Sequence, residues 1–108
     1  MSAVSIGALD RRLILQAASE VDDGAGGVIR DYAAVTTLWA SVTPLTMRGD
    51  SEAERTGAAL RSRIVIRFRG DVTTRHRFVD GPHIYRIVAV RQSGRRRFLE
   101  IDAEERQD

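Results

Sequence analysis

Apolar and polar residues alternate with a period of two along most of this chain. The alternation is most regular in 63–69, where Ile64, Ile66 and Phe68 are separated by arginines and a valine. A period of two places alternate side chains on opposite faces of a β-strand. Five further segments show strand patterns of the same kind, namely 9–17, 35–44, 77–79, 84–91 and 96–103. The sequence therefore predicts about six short strands.

Turn-forming residues separate the predicted strands. The segment 19–27 contains two aspartates and three glycines, and 80–82 and 92–94 each contain a glycine. These residue types favour turns and loops. Short strands at fairly regular spacing are typical of a small β-barrel or sandwich, and 108 residues suffice for one domain. We expect a mainly β, six-stranded barrel or sandwich that forms a single domain over 1–108.

The segment 47–60 differs in character from the rest of the chain. β-Formers give way to glutamate, alanine and arginine. Asp50 or Ser51 is placed to cap a short helix, whereas Gly57 weakens its second half. The composition does not choose between the two structures, so we predict one long loop or short helix here.

Trp39 is the one tryptophan of the chain and lies in the predicted strand 35–44. The alternation places it on the face opposite Leu38, Ala40 and Val42. A large aromatic side chain in this position anchors either a core or an interface, and we expect Trp39 to do one of the two.

The charges are unevenly distributed along the chain. All 17 basic residues are arginine, which codon bias in a GC-rich genome or a functional need for arginine would explain. The balance is −3 over 1–60, +9 over 61–98 and −4 over 99–108. The central excess predicts contact with nucleic-acid phosphates or with acidic segments of a neighbouring subunit. The arginines that we assign to this contact are Arg63, Arg67, Arg69, Arg95, Arg96 and Arg97.

Residues with catalytic or metal-binding chemistry are sparse. Cysteine is absent, and the two histidines, His76 and His83, have no acidic cluster beside them. No nucleophile-elbow or phosphate-loop motif occurs, and no apolar run approaches the length of a membrane span. We therefore expect a protein that is not an enzyme, binds neither a cofactor nor a metal ion, and does not act at a membrane.

The order of the segments resembles a known family. The residues that carry the resemblance are LDRRLILQ at 9–16, a loop ending in Gly26-Gly27, LWASVTPL at 38–45, RIVIRFR at 63–69, RFVDG at 77–81 and YRIVAV at 85–90. In this order they resemble the head–tail joining proteins of tailed phages, also called head-completion or stopper proteins. The family also occurs in prophages and gene transfer agents, and the resemblance covers roughly 9–102.

The resemblance implies a structural role in a phage-like particle assembled in the bacterial cytoplasm. Family members form a homo-oligomeric ring, here of six or twelve copies, below the portal and adaptor proteins and above the tail terminator and other tail proteins. The ring surrounds double-stranded DNA without reading its sequence. The family's long loop projects towards the channel and corresponds here to 47–60, so Arg48, Arg55 and Arg61 are expected to face the DNA. The alternative is a free nucleic-acid-binding barrel of the OB or SH3-like type.

Overall fold

The computed structural model of the chain describes residues 9–45, 59–95 and 97–106. Within these ranges the protein consists of strands and turns and contains no helix. The strands are β1 (Arg11–Asp22), β2 (Val28–Pro44), β3 (Ala59–Arg67), β4 (His76–Asp80), β5 (His83–Ser93) and β6 (Phe98–Arg106). The predicted mainly β class and the number of strands are confirmed.

The six strands form one closed antiparallel barrel. Their order around the barrel is β1-β2-β3-β6-β5-β4. Closure comes from the pairing of β1 with β4, in which Leu15 lies opposite Phe78. Closure removes free strand edges within the barrel, whereas, among the described residues, the parts of β1 and β2 beyond it pair only with each other. Of the two predicted architectures, the chain adopts the barrel.

The barrel interior is filled by one face of each strand. Side chains of β1, β3 and β6 enter it with the predicted alternation. The buried core residues are Leu13, Leu15, Ala40, Ile64, Ile66, Val72, Phe78, Tyr85, Ile87, Leu99, Ile101 and Ala103. Phe68 departs from the predicted alternation. Strand β3 ends at Arg67, one residue earlier, so Phe68 leaves the core face and is 40% exposed.

A β-bulge changes the alternation of β5. Ile87 lies opposite Ala103, but the next paired residue of β5 is Ala89, opposite Asp102. Val88 is therefore an extra residue on this strand, as in a β-bulge. The bulge allows Val90, which strict alternation would place on the same face as Val88, to pack against the core, while Val88 stays exposed.

Strands β1 and β2 continue past the barrel as a two-stranded arm, which we define as residues 16–34. Gln16–Asp22 pair in register with Val28–Ala34. The predicted loop 19–27 is therefore wrong in its first four residues, which are in β1, and the true turn is 23–27. The Asp23 carboxylate accepts hydrogen bonds from the amides of Ala25 (2.8 Å) and Gly27 (3.0 Å), and these bonds close the tight turn.

Side chains from β4 and the turn before it brace one face of the arm. The Arg77 Nε donates to Gln16 Oε1 at 2.7 Å, and its guanidinium lies 3.6 Å from the ring centroid of Tyr32. Arg75 lies 3.8 Å from the carboxylate of Glu20. The arm is thus an extension supported by the barrel.

The predicted loop or helix at 47–60 lies mostly outside the described residues. Its last two residues, Ala59 and Leu60, belong to β3, so a loop or helix is wrong for them. The Leu45 amide donates to the carbonyl oxygen of Arg61 at 2.9 Å, which holds the two ends of the segment together. In the described part of the chain, no helix is long and apolar enough to cross a membrane.

Candidate subunit and nucleic-acid interface

The outer face of β3, β6 and β5 carries a ladder of ion pairs. The acidic residues of β6 lie in the middle strand, with arginines on both sides. Asp102 is the centre of the ladder. It accepts one hydrogen bond from Arg63 Nε (3.3 Å) and two from Arg91 (3.1 and 3.2 Å). The two bonds from Arg91 reach different carboxylate oxygens, which is the fork geometry that arginine favours.

Two longer pairs extend this ladder. Arg61 lies 3.7 Å from Glu104, and Arg91 lies 3.7 Å from Glu100. The hydrogen bond from Arg91 lowers the pKa of Asp102, against a smaller opposite effect of burial, and the same bond raises the pKa of Arg91. Acidic groups of the last strand thus pair with arginines of their own chain. These arginines are less available for the contact with a neighbouring subunit that the sequence suggested.

Arg69 is also paired within the chain. Its Nε and one terminal nitrogen donate to the two carboxylate oxygens of Asp71 at 3.0 and 2.9 Å. These bonds lower the pKa of Asp71 and raise that of Arg69. Both side chains are partly in water, 35% exposed for Arg69 and 50% for Asp71, so the pair adds little to stability but fixes the direction of the Arg69 side chain.

Three of the predicted contact arginines remain available. Arg67, Arg95 and Arg97 are exposed, and none of them forms an ion pair with another described residue. They lie near one another, because the Phe68 amide donates to the Arg97 carbonyl oxygen at 2.9 Å. Their clustering follows from the meeting of the β3 end with the β5–β6 turn. Three other predicted arginines, Arg48, Arg55 and Arg96, lie outside the described residues.

An apolar groove adjoins these arginines. It has a volume of about 340 Å³ and is lined by Leu38, Trp39, Ile66, Arg67, Phe68 and Arg69. We call it the Trp39–Phe68 groove. Both aromatic side chains are exposed, by 55% for Trp39 and 40% for Phe68. The core alternative for Trp39 is therefore wrong, because its face of β2 points away from the barrel interior, and the interface alternative stays a prediction.

Arg12 and Phe68 are members of this surface that the sequence did not indicate. The Arg12 guanidinium lies 5.6 Å from the Trp39 ring centroid, within the range of a cation–π contact. The strand register brings them together, since Arg12 lies directly opposite Trp39. The pairing of β1 with β2 was predictable as a hairpin, but its register was not.

Polar side chains also meet at the barrel end where β1 begins. Arg11 forms an ion pair with Asp80, and His83 contacts the carboxylate of Glu105. At the other histidine, the His76 Nδ1 lies 3.1 Å from the Thr73 hydroxyl. Among residues 9–45, 59–95 and 97–106, no group of three or more acidic or histidine side chains is arranged to hold a metal ion.

Comparisons with known proteins identify a family and two similar structures. A family model described as "Phage head completion protein" matches residues 4–106. A chain of the virion of a native gene transfer agent particle is 32% identical, with a TM-score of 0.74, over 92% of this chain and 96% of that one. A Shigella flexneri 2a protein solved in solution is 27% identical, with a TM-score of 0.68, over 94% and 96%. Among curated proteins, none matches the chain.

Proposed function

Since the chain belongs to the phage head completion protein family and is a structural component of the virion, we propose that its copies form a ring at the head–tail junction. The ring lies below the portal and its adaptor, continues or closes the DNA channel, and docks the tail. The observation that carries this proposal is the likeness to a gene transfer agent virion chain over nearly the full length of both.

The charge of the described surface supports contact with an anionic partner, either DNA or a neighbouring subunit. Arg67, Arg95 and Arg97 are exposed, and within the described residues no carboxylate pairs with them. Arginines of this kind attract phosphates regardless of base sequence, and they attract the carboxylates of a neighbouring subunit in the same way. Arg63 and Arg69 already hold carboxylates of their own chain, so they are less available for contact with DNA than Arg67, Arg95 and Arg97.

The segment between β2 and β3 is our candidate for the part that enters the channel. We infer that it carries Arg48 and Arg55 towards the DNA, with Arg61 at its base. Arg61 is 42% exposed and lies 3.7 Å from Glu104, a distance at which an exposed pair is weak. Its side chain therefore stays free to exchange Glu104 for a phosphate.

Replacing 47–58 with a short glycine–serine linker tests this role. Leu45 and Arg61 are joined by a backbone hydrogen bond, so a short linker spans the gap and the barrel should keep its far-ultraviolet circular dichroism spectrum and thermal midpoint. Filled particles that carry the variant should lose DNA. Replacing only Arg48 and Arg55 with glutamine gives a matched control for charge without a change of length. Normal retention of DNA by the linker variant would contradict the role.

Imaging of intact particles tests the location and counts the copies. A ring of six or twelve subunits between head and tail is the expected result. The free nucleic-acid-binding barrel makes a different prediction, namely that the purified monomer binds DNA at physiological salt. A connector should bind weakly until it is in a ring, because only the ring gathers many arginines around one duplex.

A further inference from the structure

The arm has one face that the described residues of its own chain leave uncovered. Val21 and Ile29 lie directly opposite each other on it and are 52% and 57% exposed. Alternation along β1 places Val21 on the same side as Leu13 and Leu15, so this face continues the barrel's core face beyond the barrel. A two-stranded ribbon is only marginally stable in water, and an apolar face gains stability when it is covered.

The opposite face of the arm is contacted by its own chain near the barrel. Arg77 lies over Tyr32 and bonds to Gln16, and Arg75 reaches Glu20. These contacts hold the arm in position against the barrel. Val21 and Ile29 therefore lie on an arm whose position is held by contacts with the barrel.

The tip of the arm is acidic. Residues 19–32 contain four carboxylates against one arginine. Glu20 lies 4.0 Å from that arginine, Arg30. The exposed carboxylates of Asp22, Asp23 and Asp31 form no ion pair with any described residue. An apolar surface flanked by acids needs a partner surface that is apolar and flanked by bases.

The Trp39–Phe68 groove has that complementary character. Its two exposed aromatic rings lie beside Arg67 and Arg69 in the groove lining, and the Phe68 backbone is bonded to that of Arg97 in the neighbouring arginine-rich turn. We propose that the arm of one copy docks in this groove of the next copy. This inference rests on the ring of the proposed function. Val21 and Ile29 then contact Trp39 and Phe68, and the acidic tip meets the arginines.

The arm cannot reach the groove of its own chain. Val28 and Trp39 lie on the same strand, 11 residues apart by number, which is about 36 Å at about 3.3 Å per residue. The contact is therefore between copies. It joins two different surfaces, so each copy keeps one free arm and one free groove, and repetition of the contact closes a ring when the rotation allows it.

A photoreactive benzophenone side chain in place of Ile29 tests the contact. Intact particles containing this variant are irradiated, and the joined peptides are identified by mass spectrometry. We expect covalent dimers and larger multiples, with residue 29 joined to 38–39 or 66–69 of another copy. The matched control carries the probe in place of Ile84, which is 41% exposed at the start of β5, and should not join the groove.

Charge reversal provides the second measurement. The double change Arg67→Glu and Arg97→Glu should abolish the cross-link without moving the thermal midpoint. Adding Asp22→Arg and Asp31→Arg to the same chain should restore it. Restoration supports a contact between these two surfaces, whereas persistence of the cross-link in the first variant overturns it.

Imaging and cross-linking of the same particles distinguish failure of this inference from failure of the proposed function. Absence of the chain from the head–tail junction overturns both. When the chain is present there, a probe at residue 29 that joins an adaptor or tail protein overturns the arm contact alone. Cross-linking of the probe to segment 1–8 or 46–58 of this chain would also overturn the arm contact and leave the proposed function standing.

Discussion

The ion-pair ladder on the outer face of the barrel predicts the effect of Asp102→Asn. Asp102 binds Arg63 and Arg91 and so connects the central strand β6 to both neighbours. Its side chain is only 18% exposed, against 40% for Arg63 and 45% for Arg91. Asparagine keeps the shape and one acceptor oxygen but loses the charge and the fork geometry with Arg91.

The expected loss of stability follows from these contacts. An exposed pair contributes about 0.2–1 kcal/mol, and a hydrogen bond to a charged group about 1.5–3 kcal/mol. Asp102 lies between these cases, because its carboxylate is half-buried while its partners are partly in water. We expect the free energy of unfolding to fall by about 1–2 kcal/mol at pH 7. Urea unfolding followed by circular dichroism measures it.

The pH dependence gives this prediction a second observable. The bond from Arg91 lowers the pKa of Asp102 in the folded state. Stability from this group is therefore fully present above the unfolded pKa, about 3.9, and is lost as pH falls through the folded pKa. Asparagine does not titrate, so the difference between the two proteins should shrink below about pH 4.

A matched control and a clear contrary result complete the test. Asp71→Asn removes the exposed pair with Arg69 and should cost under about 0.5 kcal/mol. A double-mutant cycle of Asp102→Asn with Arg91→Gln should give a coupling energy above about 0.5 kcal/mol. Equal stability of wild type and Asp102→Asn at pH 7, or a difference that does not change down to pH 2.5, would refute the reasoning.

Two further predictions concern the core and one turn. Phe78→Ala should lower the free energy of unfolding by about 3–5 kcal/mol because the ring is fully buried in the barrel. Trp39→Ala, on the outer face, should lower it by under about 1 kcal/mol. Urea titration compares the two variants, and similar losses would contradict the assignment of faces. Gly94→Ala should cost about 1–2 kcal/mol, since φ is +59° and the new Cβ would lie 3.2 Å from the Phe98 ring. At Gly70 the same change meets open space, so its thermal midpoint should stay level or rise slightly; a lower midpoint for this control than for Gly94→Ala would contradict the role of backbone conformation.

The alternation of apolar residues was sufficient to predict the strands. Ile64 and Ile66, or Leu99 and Ile101, must share a face in any strand, because the two-residue period is a property of the extended backbone. It could not predict where strands end. Residues 19–22, of which three are polar, would suit a loop, yet they pair with 28–31 because the hairpin register, once set, continues along both strands.

The binding surface was predicted in its residue types and not in its arrangement. Arginine excess in 61–98 indicated a contact surface, but the sequence could not separate Arg63, which holds Asp102, from Arg67, which forms no ion pair with a described residue. That distinction depends on which strands are neighbours around the barrel. Pairing of β3 with β6 brings residues about 40 positions apart into contact.

By itself the sequence determined the β class, the six strands, the face of each regular strand and, through the order of its segments, the family. Those properties depend on local periodicity and on residue order. Tertiary structure decided that the sheet closes, that β1 and β2 extend as an arm, and that Trp39 lies outside. These depend on register between strands that are distant along the chain, and register is set by which side chains fill one shared interior.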